Sequence, residues 1–342
     1  MTRHGLAIIG LGLAVQPHAR ALHDLAGRVE VRWAASRSPE RCAAFAASHA
    51  WPTTTDIDRV LADPAVRSVL ILTPPAAHGE VALRAIAAGK HVLVEKPLAL
   101  TSAEAAAMVA AARAAGLRLG VVLQHRFRPN SLKAMDWLAS GRLGPVEAAS
   151  AAIPWWRPQS YYDEPGRGTM ARDGGGVLLT QAIHTLDLFR ALAGPVGAVA
   201  GLAVTTGLHR METEDFAGAL MRLAAGGAAT LMATTAAYPG ATETIRLICR
   251  NGTIILAGNS LLVQTVDGRR EAFAGDSGSG GGADPMAFSH GPHQALIADF
   301  LDAVEQGRDP AVSGDDALAT QRLIDAILEA SRRRAWLDVP TA

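Results

Sequence analysis

Through its first 123 residues the chain repeats one pattern: a short run that is apolar on both faces, followed by a longer segment with helical spacing. Runs at 6–10, 29–35, 69–72, 91–94 and 119–123 read as strands, and the segments 17–25, 39–48, 78–88 and 102–115 between them read as helices. Strands without a polar face must be covered on both sides, and strands that are each followed by a helix pair in parallel. The pattern predicts a doubly wound α/β domain over residues 1–123. Ligands of such domains bind at the carboxyl ends of the strands.

The character of the chain changes after residue 123. Segments 146–154, 198–206, 216–223, 228–235, 244–249 and 254–257 read as longer strands joined by turns such as Arg250-Asn251-Gly252 and Asp267-Gly268. They predict a large, mainly antiparallel open sheet, so residues 124–342 are expected to form an α+β domain for substrate binding and oligomerisation. Helices are expected at 130–140, 178–192, 293–306 and 314–332. The glycine- and serine-rich run 275–282 is expected to be a surface loop. At 342 residues the chain is long for a single core, which agrees with two domains.

Composition narrows the class. Hydrophobic residues make up 49% of the chain, enough to fill cores, and 32 basic residues face 32 acidic ones. That balance offers no electrostatic attraction to nucleic acid or to an anionic membrane. The two cysteines, Cys42 and Cys249, lack metal-ligand spacing and read as reduced thiols of a cytoplasmic protein with no metal site. Arg3-His4 and the apolar run 6–15 have the outline of a signal peptide, but no small-residue cleavage site closes the run. No charge-free apolar stretch reaches the roughly 18 residues of a membrane span.

The first predicted strand ends in Gly10-Leu11-Gly12, with Leu13 and Ala14 leading into the helix. Gly10 allows a sharp turn, and Gly12 allows the backbone to approach a pyrophosphate at the helix N-terminus. The third glycine of the dinucleotide fingerprint would fall at Val15, so an ordinary βα turn is the plainer alternative. The second strand ends in Ser36-Arg37, where an NAD site usually has a carboxylate for the adenosine ribose. Ser36 can donate to a 2′-phosphate and Arg37 can pair with it, which favours NADP over NAD. The alternative is that Arg37 is a solvated loop residue.

Thr73-Pro74-Pro75-Ala76-Ala77-His78 follows the third predicted strand, and Glu95-Lys96-Pro97 follows the fourth. Further on, Asp173-Gly174-Gly175-Gly176 precedes a helix carrying His184 and Asp187, three residues apart on one face. Taken singly, a lysine at a strand end is a surface charge and a helical histidine is a structural one. Together they resemble the Gfo/Idh/MocA oxidoreductases. The resemblance extends to His18, to Arg126-Phe127-x-Pro129 and to Glu214-x-Phe216. It implies that Lys96 hydrogen-bonds the hydroxyl being oxidised while His184 takes its proton. It also implies that Thr73, Pro74 and His78 line the nicotinamide side of an NAD(P) cofactor, with Glu95 near its ribose and the Lys96–Pro97 bond cis. Many members carry an aspartate four residues before the histidine. Here Thr180 stands there and cannot act as a carboxylate base, which leaves Thr180 and Gln181 to orient substrate.

The stretch 155–162 holds Trp155, Trp156, Tyr161 and Tyr162 in eight positions of a chain that is only 5% aromatic. With Arg157 and Arg167 it suits a polyhydroxylated ring, stacked on one face and bound at its edges. Packing of a long loop is the alternative. His290 and His293 are candidates for the cleft edge, and His125, Arg126 and Arg128 for the domain junction. The expected function is hydride transfer between NADP or NAD and a sugar, cyclitol or related ring, in a homodimer or homotetramer. A dihydrodiol dehydrogenase and a non-catalytic NAD(P)-binding regulator are the alternatives.

Overall fold

The structure, a computed structural model, describes residues 3–275 and 289–340. Apart from Gly275, the expected loop 275–282 lies outside the described residues. The chain divides into two compact units, residues 1–123 with 290–318, and residues 124–289 with 319–342. The second stretch therefore does not run unbroken to residue 342 as the sequence suggested. Residues 290–318 return to the first unit.

The first unit contains strands β1 (His4–Ile9), β2 (Val29–Ala35), β3 (Thr53–Thr54), β4 (Ser68–Ile71), β5 (His91–Glu95) and β6 (Leu119–Val122). They form one parallel sheet in the order β3-β2-β1-β4-β5-β6. Every residue of β1 and β4 is buried, so both faces must be covered. The covering helices include α1 (Val15–Asp24), α2 (Pro39–Ser48), α3 (Ile57–Ala62), α4 (His78–Ala87) and α5 (Ser102–Ala114). Their starts follow local chemistry: the side chains of Ser38, Asp56 and Thr101 accept from backbone N–H groups one turn on. Neither β3 nor α3 was expected, each being too short to show a period. The strand order reverses between β1 and β4, which defines the ligand crevice of a doubly wound sheet.

The returning segment completes this unit. Phe300 packs so closely on Gly120 of β6 that a Cβ there would lie 3.0 Å from its ring. Val121 N–H donates to Val312 C=O at 3.1 Å, and Arg28 pairs with Asp302 at 2.5 Å.

The second unit begins with the 3₁₀ turn Gln124–Phe127 and helix α6 (Pro129–Ala139). Its strands are β7 (Val146–Pro154), β8 (Val196–Val204), β9 (Phe216–Leu223), β10 (Ala228–Thr234), β11 (Thr244–Cys249), β12 (Gly252–Ala257), β13 (Ser260–Thr265), β14 (Arg270–Phe273) and β15 (Leu337–Asp338). They form a nine-stranded sheet, β14-β13-β12-β11-β7-β10-β9-β8-β15, antiparallel except for the β7–β10 pair. The sequence reading found the middle of this sheet but not β13, β14 and β15 at its edges.

Burial alternates along β9 and β11, so the sheet has a packed face and an open one. Short helices α7 (Gln159–Tyr162) and α8 (Met170–Asp173) precede α9 (Ile183–Ala193). The single helix expected over 178–192 is instead a π-helical turn, Leu178–Ala182, that runs into α9. Helix α10 (Gly291–Gln306) belongs to the first unit. Helix α11 (Gly314–Arg333) begins in the first unit and ends in the second.

Candidate active site

Candidate functional residues occur in both units. In the first, Gly10 has φ +112° and lies at the switch point between β1 and β4. A Cβ on Gly10 would sit 2.5 Å from the carbonyl carbon of Leu72 and 2.7 Å from the amide of Thr73, so only glycine fits. Two residues on, a Cβ on Gly12 would meet nothing within 4 Å. Helix α1 opens there with no side-chain cap and no acidic residue in its first turn. Its leading N–H groups are thus left for an anion. Leu13 is 83% exposed beside them. Thr73 Oγ1 is buried and has no hydrogen-bond partner among the described residues. An open cradle, an uncapped helix start and an orphaned hydroxyl fit a dinucleotide.

At the end of β2, Ser36 is half-buried and accepts from Ser38 N–H at 3.3 Å, while Arg37 is exposed. The carboxylate that follows, Glu40, is engaged by the Ser38 hydroxyl at 2.6 Å.

Glu95 ends β5. One carboxylate oxygen meets His18 Nε2 at 3.0 Å, and the other accepts from the Lys96 backbone N–H at 2.9 Å. Burial alone would raise the Glu95 carboxyl. The His18 hydrogen bond and the charges of His18, Lys96 and His293 overcome burial and hold it down to about 2. The Lys96–Pro97 bond is cis, as the resemblance implied. His78 is fully buried. Its Nδ1 lies 2.8 Å from Pro97 C=O and its Nε2 2.8 Å from Thr73 C=O. It therefore braces the loop after β4 against the loop after β5, and its polar atoms are not turned to a ligand. Burial keeps its pKa below the ordinary value, although both carbonyls pull the other way.

His293 is buried edge-on to His18, with ring centroids 5.0 Å apart, and His290 is paired with Asp24 at 2.7 Å. His18, Glu95 and His293 bring ligand-type atoms within 4.8 Å of one another, a grouping the sequence reading did not anticipate. The His18–Glu95 bond already occupies two of the three.

In the second unit, Gly176 starts the segment that carries His184. A Cβ on Gly176 would fall 2.0 Å from Glu214 C=O. That closeness lets the Glu214 carboxylate accept from Gly176 N–H at 3.1 Å and Leu178 N–H at 3.2 Å. Glu214 caps the helix start, which explains its place in the pattern. Thr180 Oγ1 donates to Gly176 C=O at 2.7 Å and also touches Gln181 Oε1. Both residues are thus engaged with each other, and Gln181 is buried.

His184 is half-buried and stacks on His125, with centroids 4.9 Å apart and planes 30° apart. Asp187, fully buried, receives both arms of Arg126 at 2.6 and 2.7 Å and the Thr320 hydroxyl at 3.1 Å. It is a structural anchor of α9. His125 and Arg126, read from sequence with Arg128 only as junction residues, thus contact the helix that presents His184, while Arg128 pairs with Glu243 outside it. The ion partners of Arg126 and Arg128 lie 61 and 115 residues away, beyond any local signal.

The aromatic stretch divides. Trp155 is buried and donates to Glu243 at 3.3 Å, so it belongs to the core and not to a stacking surface. Tyr162 is buried against Thr235 at 2.7 Å, and burial pushes its phenol up to about 12. Tyr161 is half-buried. The Arg167 guanidinium lies 4.1 Å from its ring centre, with Glu164 as ion partner. Arg157, also buried, donates to Trp156 C=O at 2.8 Å. Tyr161 and Arg167 remain the more accessible pair.

A parallel sheet with an open phosphate cradle at its switch point defines a dinucleotide-binding protein, and the Glu-Lys-Pro turn beside it points to an oxidoreductase. The description "Oxidoreductase family, NAD-binding Rossmann fold" matches residues 5–123, and "GFO/IDH/MocA C-terminal domain" matches residues 131–255. The chain belongs to the Gfo/Idh/MocA oxidoreductase family. It is 37% identical over 185 residues to 1,5-anhydro-D-fructose reductase of Ensifer adhaerens, covering 53% of this chain and 54% of that protein. It is 25% identical over 331 residues to levoglucosan dehydrogenase of Pseudarthrobacter phenanthrenivorans, covering 84% of each. Among solved structures, the WlbA dehydrogenase of Bordetella pertussis in complex with NADH and UDP-GlcNAcA aligns with TM-score 0.85 and 26% identity over the whole of both chains.

Proposed function

We propose that the protein is an NAD(P)-dependent dehydrogenase or reductase acting on a hydroxyl or carbonyl of a sugar or related ring. One observation carries this reading. Lys96 stands at the carboxyl end of β5, its backbone fixed by Glu95, in a unit whose switch point offers an open cradle to a dinucleotide. When bound, the nicotinamide supplies hydride chemistry. The chain supplies position and charge. Lys96 donates to the substrate oxygen and stabilises negative charge as it develops there. His184 takes the hydroxyl proton in oxidation and returns it in reduction. Thr180, with its hydroxyl directed to Gly176 C=O, shapes the helix start and moves no proton. Ser36 and exposed Arg37 favour the 2′-phosphate of NADP, whereas WlbA and levoglucosan dehydrogenase have been solved with NADH.

Sugar-acting relatives support a polyhydroxylated substrate over a dihydrodiol. Keeping both Lys96 and His184 argues against a non-catalytic regulator. Among the described residues no helix is long and apolar enough to cross a membrane, and the two buried cysteines are free. Both facts fit a cytoplasmic enzyme. The open sheet face, where strand register puts Leu202, Leu220 and Ile248 on one side at 55%, 56% and 47% exposure, is where two copies meet.

The test is a panel of sugars, anhydrosugars, inositols, sugar acids and dihydrodiols, each assayed with NAD and NADP. Turnover of a sugar-type substrate is expected, and Lys96→Ala should lower it by about a hundredfold to a thousandfold while dinucleotide binding persists. Binding without turnover across the whole panel would favour the regulator.

A further inference from the structure

The reaction proposed above gives His184 a task and leaves the imidazole beside it without one. His125 is buried in the 3₁₀ turn Gln124–Phe127, its ring stacked on that of His184. Arg128 fixes the edge of this ring. Its Nη2 lies 2.6 Å from His125 Nε2, and its Nη1 donates to Glu243 Oε1 at 2.7 Å. All three side chains are buried. A guanidinium has only N–H donors and keeps its charge, so His125 Nε2 must accept. The ring of His125 is therefore the neutral form with its proton on Nδ1. Glu243 balances the arginine and is itself held by Trp155 Nε1 at 3.3 Å.

The turn is also tied to α9 through the next residue. Arg126 grips Asp187 with two hydrogen bonds, and Asp187 lies one turn beyond His184 on the same helix face. Two consecutive residues of the turn thus engage positions 184 and 187 together. A half-buried imidazole on an isolated helix can rotate about its Cβ–Cγ bond. One stacked on a plate fixed at its edge and through its backbone has a single favoured plane.

We propose that His125 is a positioning residue for His184: a plate locked in one tautomer that sets the plane of the proton-carrying ring, in a chain where Thr180 offers no carboxylate to do so. The inference rests on His184 being the proton carrier. Side-chain positioning of this kind matters because a displacement of about 1 Å can cost on the order of a hundredfold in rate.

Two measurements test it. Long-range ¹H–¹⁵N spectra of labelled protein at pH 7, with no substrate present, report which nitrogen of each imidazole is protonated. Signals lost in His125→Phe identify His125. The expected result is a bare Nε2, and a proton on Nε2 or on both nitrogens overturns the proposal. The second measurement is kinetic, with 1,5-anhydro-D-fructose and NADH as one probe reaction and levoglucosan and NAD as the other. His125→Ala should lower kcat by about tenfold to a hundredfold with the Kd for NADH unchanged. His125→Phe, which keeps the flat ring but removes the acceptor for Arg128 Nη2, should recover part of that loss. A phenylalanine variant as slow as the alanine one, or an alanine variant as fast as the parent, overturns the proposal. His184→Gln separates the two readings. A fully active His184→Gln sinks the assignment of the proton carrier, whereas an inactive one beside an unimpaired His125→Ala sinks only the role of His125. The proton measurement stands by itself if neither sugar is turned over.

Discussion

At the scale of single residues, the proposed preference for NADP turns on Arg37. It is exposed at the end of β2, and the nearest following carboxylate, Glu40, is held by Ser38. Replacing Arg37 with alanine should weaken NADPH binding by about tenfold to a hundredfold, the worth of a charge-assisted hydrogen bond, with NADH little changed. Fluorescence titration of both nucleotides measures this, and an equal loss for both would show that Arg37 does not read the 2′-phosphate. The candidate site residues were legible as candidates because they stand in short, ordered motifs: Gly10-Leu11-Gly12, Glu95-Lys96-Pro97 and the Gly176 segment leading to His184. Their surroundings were not. Nothing in the local pattern shows that His78 turns both nitrogens to backbone carbonyls, or that Trp155 points into the core while Tyr161 does not. Residue type gives the chemistry a side chain can do, and only packing decides whether it is free to do it.

Elements tell a similar story through burial. The first unit buries His4 in β1, against Ser68 at 2.8 Å, and His293 in α10. Burial is the largest cause that lowers each, His4 to about 4 and His293 to about 3. In the unfolded chain both titrate near 6.5. Between pH 6.5 and about 3 the unfolded state therefore binds more protons, and stability must fall as the pH falls. Glu95, depressed to about 2, adds to this loss below its unfolded value of about 4.5. The melting temperature should decline from pH 7 to pH 4, and His293→Gln should make the decline shallower. Parallel slopes for parent and variant would exclude His293 as a cause. In the sequence, the long periodic elements were clear. The two-residue β3, the six-residue α3 and the edge strands β13 to β15 were not, because a period needs several repeats to show. The π-helical turn before α9 escaped for another reason: its apolar positions read equally well as α-helix.

For the whole molecule, the open face of the nine-stranded sheet predicts association. Leu220→Lys places a charge among Leu202, Leu220 and Ile248 and should shift the protein to monomer in sedimentation, leaving its melting temperature within a few degrees of the parent. An unchanged sedimentation profile would exclude this face as the contact. A second prediction concerns continuity. The first unit lacks nothing in its sheet after residue 123, yet Gly120 is shaped to receive Phe300, and Val121 bonds to Val312. Residues 1–123 alone should not melt cooperatively, whereas 1–123 joined by a short glycine–serine linker to 290–318 should melt cooperatively and bind NADH. Equal behaviour of the two would show the returning segment to be dispensable.

The return of residues 290–318 to the first unit also sets an order in time. A ribosome delivers all six strands of the parallel sheet early, but their last covering helix arrives only after eight of the nine strands of the second sheet have been made. Through about half of its synthesis the nascent chain carries this sheet with helices α1 to α5 in place but without the segment that packs on β6. The nucleotide-binding unit is therefore the first to be started and among the last to be finished, and the length of the intervening segment sets how long it waits for its final helix.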